Sequence, residues 1–237
     1  FKKVFKMEPI YLTDSIVLLG DRMVHGEDKK PLKKHNWHHV LKEYGWTKMP
    51  KRWISILNRC SDIKEKNSQY GLLDCEHDGN CFYSCIGNAL TERDGYERIY
   101  DSGDIRKMIS ESITRDSYET IIEYYRAMKD AGDFQGSWDP HKIQELREFK
   151  DVLLTSGHTY WGDYVILSLI VNILNVNVLV LTADEFTNDY SVYRTGLDYV
   201  KERDTICLLH VDGEHFKLVG HFNGYRMVSY FRGTVPS

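Results

Sequence analysis

The stretch Asp78-Gly79-Asn80-Cys81-Phe82-Tyr83-Ser84-Cys85-Ile86 sets a thiol immediately after a turn-prone tripeptide. Phe82, Ile86 and Leu90 repeat at helical spacing, so Cys81 falls in the first turn of a helix. The first N–H groups of a helix have no partner within it, and the helix dipole is positive at that end. A thiol there is expected to have a lowered pKa and to favour the reactive thiolate. The loop N–H groups are also candidates to hold a developing oxyanion. An inert, buried helix cysteine is the plain alternative.

A thiol nucleophile needs a base. The candidates are His77, His141, His158, His210, His215 and His221. His215 follows an Asp212-Gly213 turn and opens the extended stretch Phe216-Lys217-Leu218-Val219 at a sheet end. His221 shares its face by period-two alternation, so alternation leaves both open. His35 and His39 have the spacing of a metal pair on one helix face, with His38 between them. No carboxylate or cysteine nearby completes a site, and a solvated helix face is expected. Cys75, Cys81 and Cys85 fit no common zinc spacing. The remaining cysteines, Cys60 and Cys207, add no CxxC pair, which points to free thiols in a reducing compartment.

These residues need a scaffold. After Cys81 the pattern is mainly helical. Helices are expected over Asp104–Ile113, over Tyr118–Lys129 with Ser117 as N-cap, from Asp139-Pro140 through Leu153, and over Tyr164–Leu174 with Asp163 at its start. From Val176 the texture changes. Strands are expected over 176–181, 190–193, 205–211, 215–222 and 226–231, with turns at Asp212-Gly213 and Asn223-Gly224. Helices early and strands late predict an α+β domain with a central, mainly antiparallel sheet flanked by helices.

Residues 1–66 differ in texture. Short strands at Tyr11-Leu12 and Ile16–Leu19 precede a charged loop over 26–31, a helix over Leu32–Tyr44 and another opening at Pro50. Trp37, Trp46 and Trp53 indicate a packed extension of the core, with residues 61–69 as a polar connection. The expected division is an extension over 1–66 and a catalytic domain over 67–237.

The net charge of -4 argues against a general nucleic-acid binder. The longest apolar run, Val165 to Ile173, is interrupted by Ser168 and Asn172 and is too short to span a bilayer. The first residues, Phe1-Lys2-Lys3-Val4-Phe5-Lys6, lack the apolar stretch of a signal peptide. A chain opening on Phe1 is consistent with a piece excised from a longer one.

Asp78-Gly79-Asn80-Cys81-Phe82 resembles the nucleophile motif of the ovarian tumour (OTU) family of cysteine proteases. Trp161-Gly162-Asp163, followed by an apolar helix and the Asn177-Val178 strand, resembles that family's central signature. His215-Phe216 is similar to its histidine motif. The three occur in the family's order across roughly residues 70 to 232, which is far more specific than one short match.

The resemblance implies an OTU-like, papain-type fold and a deubiquitinase without metal or organic cofactor. Cys81 would be the nucleophile and His215 the base, with Asp78 counted in the active site and its loop holding the oxyanion. The implied partner is ubiquitin, polyubiquitin or a ubiquitin-like protein, met in the cytoplasm (the host cytoplasm for a viral protein) by a monomeric enzyme that binds neither nucleic acid nor membrane. Polyprotein processing and a ubiquitin-binding module without activity are the alternatives. Asp184, Glu185 and the surrounding region 183–204 are expected to contact ubiquitin. One departure stands out. Many family members carry Asp or Asn two residues after the histidine, where this chain has Lys217. Asp74, Asp78, Asp212 and Asn223 are candidate replacements. The register His221-Phe222-Asn223 would restore the spacing but leaves the turn before His215 unexplained.

Overall fold

Alternation, capping residues and two tight turns place most of the elements where the sequence puts them. The computed structural model describes residues 8–60, 67–184, 189–195 and 199–233. Residues 1–6, the polar connection over 61–66, and Glu185 with residues 186–188 and 196–198 of the expected ubiquitin contact lie outside the described residues. Strands β1 (Ile10–Tyr11), β2 (Ile16–Leu19), β3 (Arg22–His25) and β4 (Lys30–Pro31) form a small antiparallel sheet. Helix α1 (Trp37–Val40) runs into a 3-10 turn over Leu41–Tyr44, followed by β5 (Trp46–Lys48) and α2 (Lys51–Cys60). Then come β6 (Tyr70–Asp74), α3 (Cys81–Arg93), α4 (Ser102–Ser112), α5 (Arg115–Ala131), α6 (Leu146–Leu154) and α7 (Tyr164–Leu174). The strands β7 (Asn177–Asp184), β8 (Asp189–Thr195), β9 (Thr205–Val211), β10 (His215–Phe222), β11 (Met227–Val228) and β12 (Tyr230–Phe231) complete the chain.

The large sheet has the order β5-β6-β10-β9-β7-β8, with β11 on β10 and β12 on β9. Every pairing is antiparallel except β7 with β9. The fold is α+β, as the segregation of helices and strands predicts. Among the described residues no helix is long and apolar enough to cross a membrane.

Four expectations need correction. The helix over Leu32–Tyr44 shortens to α1 and a 3-10 turn, because Asn36 Oδ1 accepts the Lys33 N–H at 2.7 Å and holds that segment in a turn. The helix from Asp139 is only a 3-10 turn over Pro140–Lys142. A second start follows at Glu145, where Glu148 accepts the Glu145 N–H at 3.1 Å. Ser117 is not the N-cap of α5; it is the third helical residue in a reciprocal cap with Thr114. The strand over 226–231 splits at Ser229, since the buried Glu92 carboxylate accepts the N–H groups of both Ser229 (3.2 Å) and Tyr230 (2.9 Å). This transfers the chain from β10 to β9.

The three early tryptophans are buried. Trp37 stacks on Phe222 and covers Gly71, where a Cβ would stand 2.8 Å from its ring. Trp46 covers Gly220 in the same way at 2.5 Å. Through β5 the segment before residue 67 supplies an edge strand beside β6. That strand ends on Asp74, which matters for the site.

Candidate active site

Helix α3 begins at Cys81 with Asn80 as N-cap, so the thiol occupies the first helical position. The turn before it is shaped by Gly79, whose φ of 81° suits glycine and whose Cβ would stand 2.5 Å from the Gly157 backbone. Asp78 folds back on this turn. Its Oδ1 accepts the Asn80 N–H at 2.9 Å and its Oδ2 accepts the Asn80 side-chain amide at 2.8 Å. Burial raises the Asp78 carboxyl, and these hydrogen bonds outweigh it, leaving its pKa below the ordinary value.

The β9–β10 hairpin delivers the histidine. Asp212 and Gly213 are both left-handed, with φ of 53° and 73°, which closes the turn tightly and starts β10 at His215. His215 is buried and its Nε2–H donates to Asp74 Oδ1 at 2.8 Å. Asp74 closes β6 and lies directly across from Lys217 on β10, whose Nζ donates to the other carboxylate oxygen at 2.9 Å. Burial raises the Asp74 carboxyl, but the bonds from His215 and Lys217 prevail and hold its pKa below normal. With Nε2 committed to Asp74, Nδ1 is the ring nitrogen left to receive a proton.

The Phe216 N–H donates to Cys81 Sγ at 3.5 Å, which ties the start of β10 to the start of α3. Cys81 and His215 line one cleft of about 260 Å³ with His77, Gly79, His158 and Trp161. A larger hollow of about 810 Å³ lies between α5 and α6, lined by Arg115, Glu119, Arg126 and Lys150 but by no thiol or histidine. Size is a poor guide to chemistry here.

The Cys81 thiol differs from expectation. Burial pushes its pKa up, the N–H groups of Phe216 and Phe82 pull it down, and burial prevails. The site at rest therefore favours the thiol.

His221 lies elsewhere on β10, across from Tyr70, with Nε2 2.9 Å from Asn67 Nδ2. Burial, with the Lys34 charge, lowers its pKa to about 4. It does not line the cleft. His210 stacks on the Phe216 ring with centroids 4.2 Å apart, and His141 pairs with Asp130 at 2.9 Å. The His35, His38 and His39 cluster gathers no three ligand atoms. Among the described residues only Asp74, His77 and His215 do so. Cys75 and Cys85 are free thiols with sulfurs 3.6 Å apart.

Residues 76–222 match the family model of the OTU-like cysteine proteases. The chain belongs to that family. It is also similar to solved OTU structures. One is the Hazara virus OTU bound to ubiquitin, at 18% identity and a TM-score of 0.40, covering 67% of this chain and 82% of that one. Another is an OTU deubiquitinase from Wolbachia pipientis wMel bound to ubiquitin, at 13% identity and 0.46, covering 66% and 98%. The OTUD1 OTU domain is a third, at 17% and 0.43, covering 71% and 92%. No curated protein matches the chain.

Within this OTU chain the departure at Lys217 has a structural account. The acid that meets His215 comes from the neighbouring strand, and the residue two beyond the histidine grips that acid. Trp161, 36% exposed, stands in the cleft wall. Gly162 is required because a Cβ would stand 2.3 Å from the Phe82 ring. Asp163 caps α7 through the Ile166 N–H at 3.0 Å and accepts the Tyr125 hydroxyl at 2.5 Å.

Sequence reasoning missed Arg106 altogether. Its guanidinium is buried, has no carboxylate partner among the described residues and lies 3.8 Å from the centre of the Tyr83 ring. It donates to Asn80 Oδ1 (2.9 Å) and to the carbonyls of Gly79 (3.4 Å), Leu153 (3.1 Å), Gly157 (3.2 Å) and Tyr160 (3.1 Å). It thus fastens the turn before Cys81 to the loop between α6 and α7. Its place in the amphipathic pattern of α4, between Ile105 and Ile109, was the one available signal.

Proposed function

We propose that this chain is a cysteine-type deubiquitinase. It hydrolyses the isopeptide bond between the C-terminal glycine of ubiquitin, or of a ubiquitin-like modifier, and a lysine or other amine. The observation that carries the reading is the convergence of Cys81 and His215 in one cleft within the family-matched segment, with Asp74, just before that segment, bonded to the His215 ring. The substrate class follows from the family resemblance.

Cys81 Sγ attacks the glycine carbonyl carbon while its proton passes to His215 Nδ1. Because burial favours the thiol over the thiolate, the transfer accompanies attack. Asp74 stabilises the charge that develops on the ring and fixes the ring's orientation. The Asn80 N–H is committed to Asp78, so the N–H groups of Gly79 and Cys81 are the loop donors left for the oxyanion. Asp78 acts by bracing this loop. Collapse of the tetrahedral intermediate breaks the C–N bond, and His215 hands its proton to the leaving amine. Water, deprotonated by His215, then attacks the thioester, releasing the modifier's carboxylate and restoring the thiol.

Ubiquitin bearing a C-terminal electrophile tests the reading. Wild-type protein should be labelled, Cys81→Ala should not, and the wild type should cleave at least one of a panel of ubiquitin dimers. Failure of the wild type in both assays would sink the proposal.

A further inference from the structure

His77 has no place in the chemistry above, yet it lies against its centre. It sits in the loop between β6 and α3 with a 70% exposed side chain, and its ring stacks on His215 with centroids 3.5 Å apart and planes 13° from parallel. Its Nε2 lies 4.0 Å from Asp74 Oδ1, the same oxygen that His215 Nε2 meets at 2.8 Å. One ligand atom from each of Asp74, His77 and His215 falls within 4.8 Å of the others. Two imidazoles and a carboxylate are a zinc-type donor set, and three protein ligands leave the fourth position to water.

Zinc bonds of about 2.0–2.2 Å in a tetrahedron place ligand atoms ~3.3 Å apart. The distances of 2.8 and 4.0 Å lie on either side of that value. Parallel stacked rings do not aim both lone pairs at one point, so a ring must turn. His77, exposed and on a loop, is the one able to do so. Lys217 holds the other Asp74 oxygen, which leaves Oδ1 as a single-point ligand.

We propose that Asp74, His77 and His215 form a latent zinc site whose occupation switches the enzyme off. Zinc takes the Nε2 lone pair of His215, and the ring's single proton, which Nε2 had donated to Asp74, shifts by exchange with solvent to Nδ1. The neutral ring then carries its one proton on Nδ1, the nitrogen that must accept the Cys81 proton. The base is lost although the thiol is untouched. The cation lies on the Asp74 side of the ring, away from Nδ1, so Cys81 is not a ligand. That separates this site from simple capping of a catalytic thiol by metal. Lys217 beside Asp74 opposes the added charge, which makes the site reversible and weaker than a structural zinc centre.

The inhibitory consequence rests on the proposed function, but the binding does not. Zinc is titrated calorimetrically into the full chain, Cys81→Ala and His77→Phe, the last keeping an aromatic ring for stacking. Loss of an outer-shell partner of a metal typically costs ~10–100-fold in affinity, and loss of a ligand should cost at least as much. His77→Phe should therefore weaken zinc binding about tenfold or more, whereas Cys81→Ala should bind as the wild type does. Cobalt in place of zinc should give visible ligand-field absorption without a thiolate charge-transfer band. Turnover of a ubiquitin substrate should fall with added zinc, return with a chelator, and resist zinc in His77→Phe. Absence of zinc binding in the wild type, equal binding in His77→Phe, or loss of binding in Cys81→Ala would each overturn the site. Zinc binding with the predicted variant pattern, in a protein inactive on every ubiquitin substrate, would uphold the site and refute the function.

Discussion

Replacing Arg106 by methionine tests whether the turn before Cys81 is held from outside. The guanidinium serves five oxygen acceptors: Asn80 Oδ1 and the carbonyls of Gly79, Leu153, Gly157 and Tyr160. Left buried and unsatisfied, each would cost about 1–3 kcal/mol. The full sum overstates the loss. Water can reach a relaxed loop, Gly157 N–H still bonds Asn80 Oδ1 at 3.1 Å, and methionine escapes the burial cost that depresses the arginine pKa. With about two of the five acceptors left unpaired at roughly 2 kcal/mol each, the expected loss is ~3–5 kcal/mol. At ~2–4 °C per kcal/mol for a chain of this size, Tm should fall by about 6–20 °C. Activity should fall further than stability explains, since a misplacement of about 1 Å at a catalytic group can cost ~100-fold. Thermal unfolding and kcat/KM on a ubiquitin-linked fluorogenic substrate, measured well below Tm, separate the two effects. Arg106→Lys keeps a charge but has only three donors in another geometry, and should recover stability only in part. A methionine variant that melts within about 3 °C of the parent and keeps at least about half its kcat/KM would refute the reasoning.

Asp74→Asn should lower kcat by about 10–100-fold, the worth of a charge-assisted hydrogen bond of ~1.5–3 kcal/mol, with Cys81 still open to alkylation; an unchanged kcat would remove Asp74 from the mechanism. His221→Gln should leave kcat nearly unchanged. The native state resists protonating His221, whose pKa is about 4 against an ordinary 6.5, so the unfolded state binds the extra proton as pH falls between these values. The wild type therefore loses stability over that interval, and His221→Gln should lose less, as denaturant titrations at pH 7 and pH 4.5 would reveal. A chain starting at residue 67 would lose Trp37, Trp46 and Trp53. At about 3–5 kcal/mol for each buried tryptophan removed, the sum rivals the ~5–15 kcal/mol that holds a typical domain together. It should give no cooperative melt, and a sharp transition near that of the full chain would contradict this.

What was legible in the sequence was local. The turn at Asp78–Asn80, the start of α3 at Cys81, the Asp163 cap of α7 and the Asp212-Gly213 hairpin each depend on residues a few positions apart. The choice of Asp74 among the four candidates, three acids and an amide, was not legible. It depends on the pairing of β6 with β10, which joins residues 141 positions apart. The register opposite Lys217 also decides that a lysine two residues after the histidine is an ally of the acid. Arg106 escaped notice because an arginine within a helix reads as solvent-facing. Its burial follows only from where the loops on either side of α3 and α6 come together. The direction of the Cys81 shift was misread for a related reason. A helix start can be seen in a sequence, whereas the burial that outweighs it cannot.

The placement of Trp161 has an optical consequence. Of the five tryptophans, Trp37, Trp46, Trp53 and Trp138 are buried, and Trp161 alone opens to solvent, in the wall of the cleft that holds Cys81 and His215. An aqueous quencher such as iodide should therefore extinguish mainly Trp161 emission. A chain end threading the cleft should shield that indole and restore the light. The fold carries its own fluorescent gauge of occupancy, readable without a label and in a Cys81→Ala protein that turns nothing over.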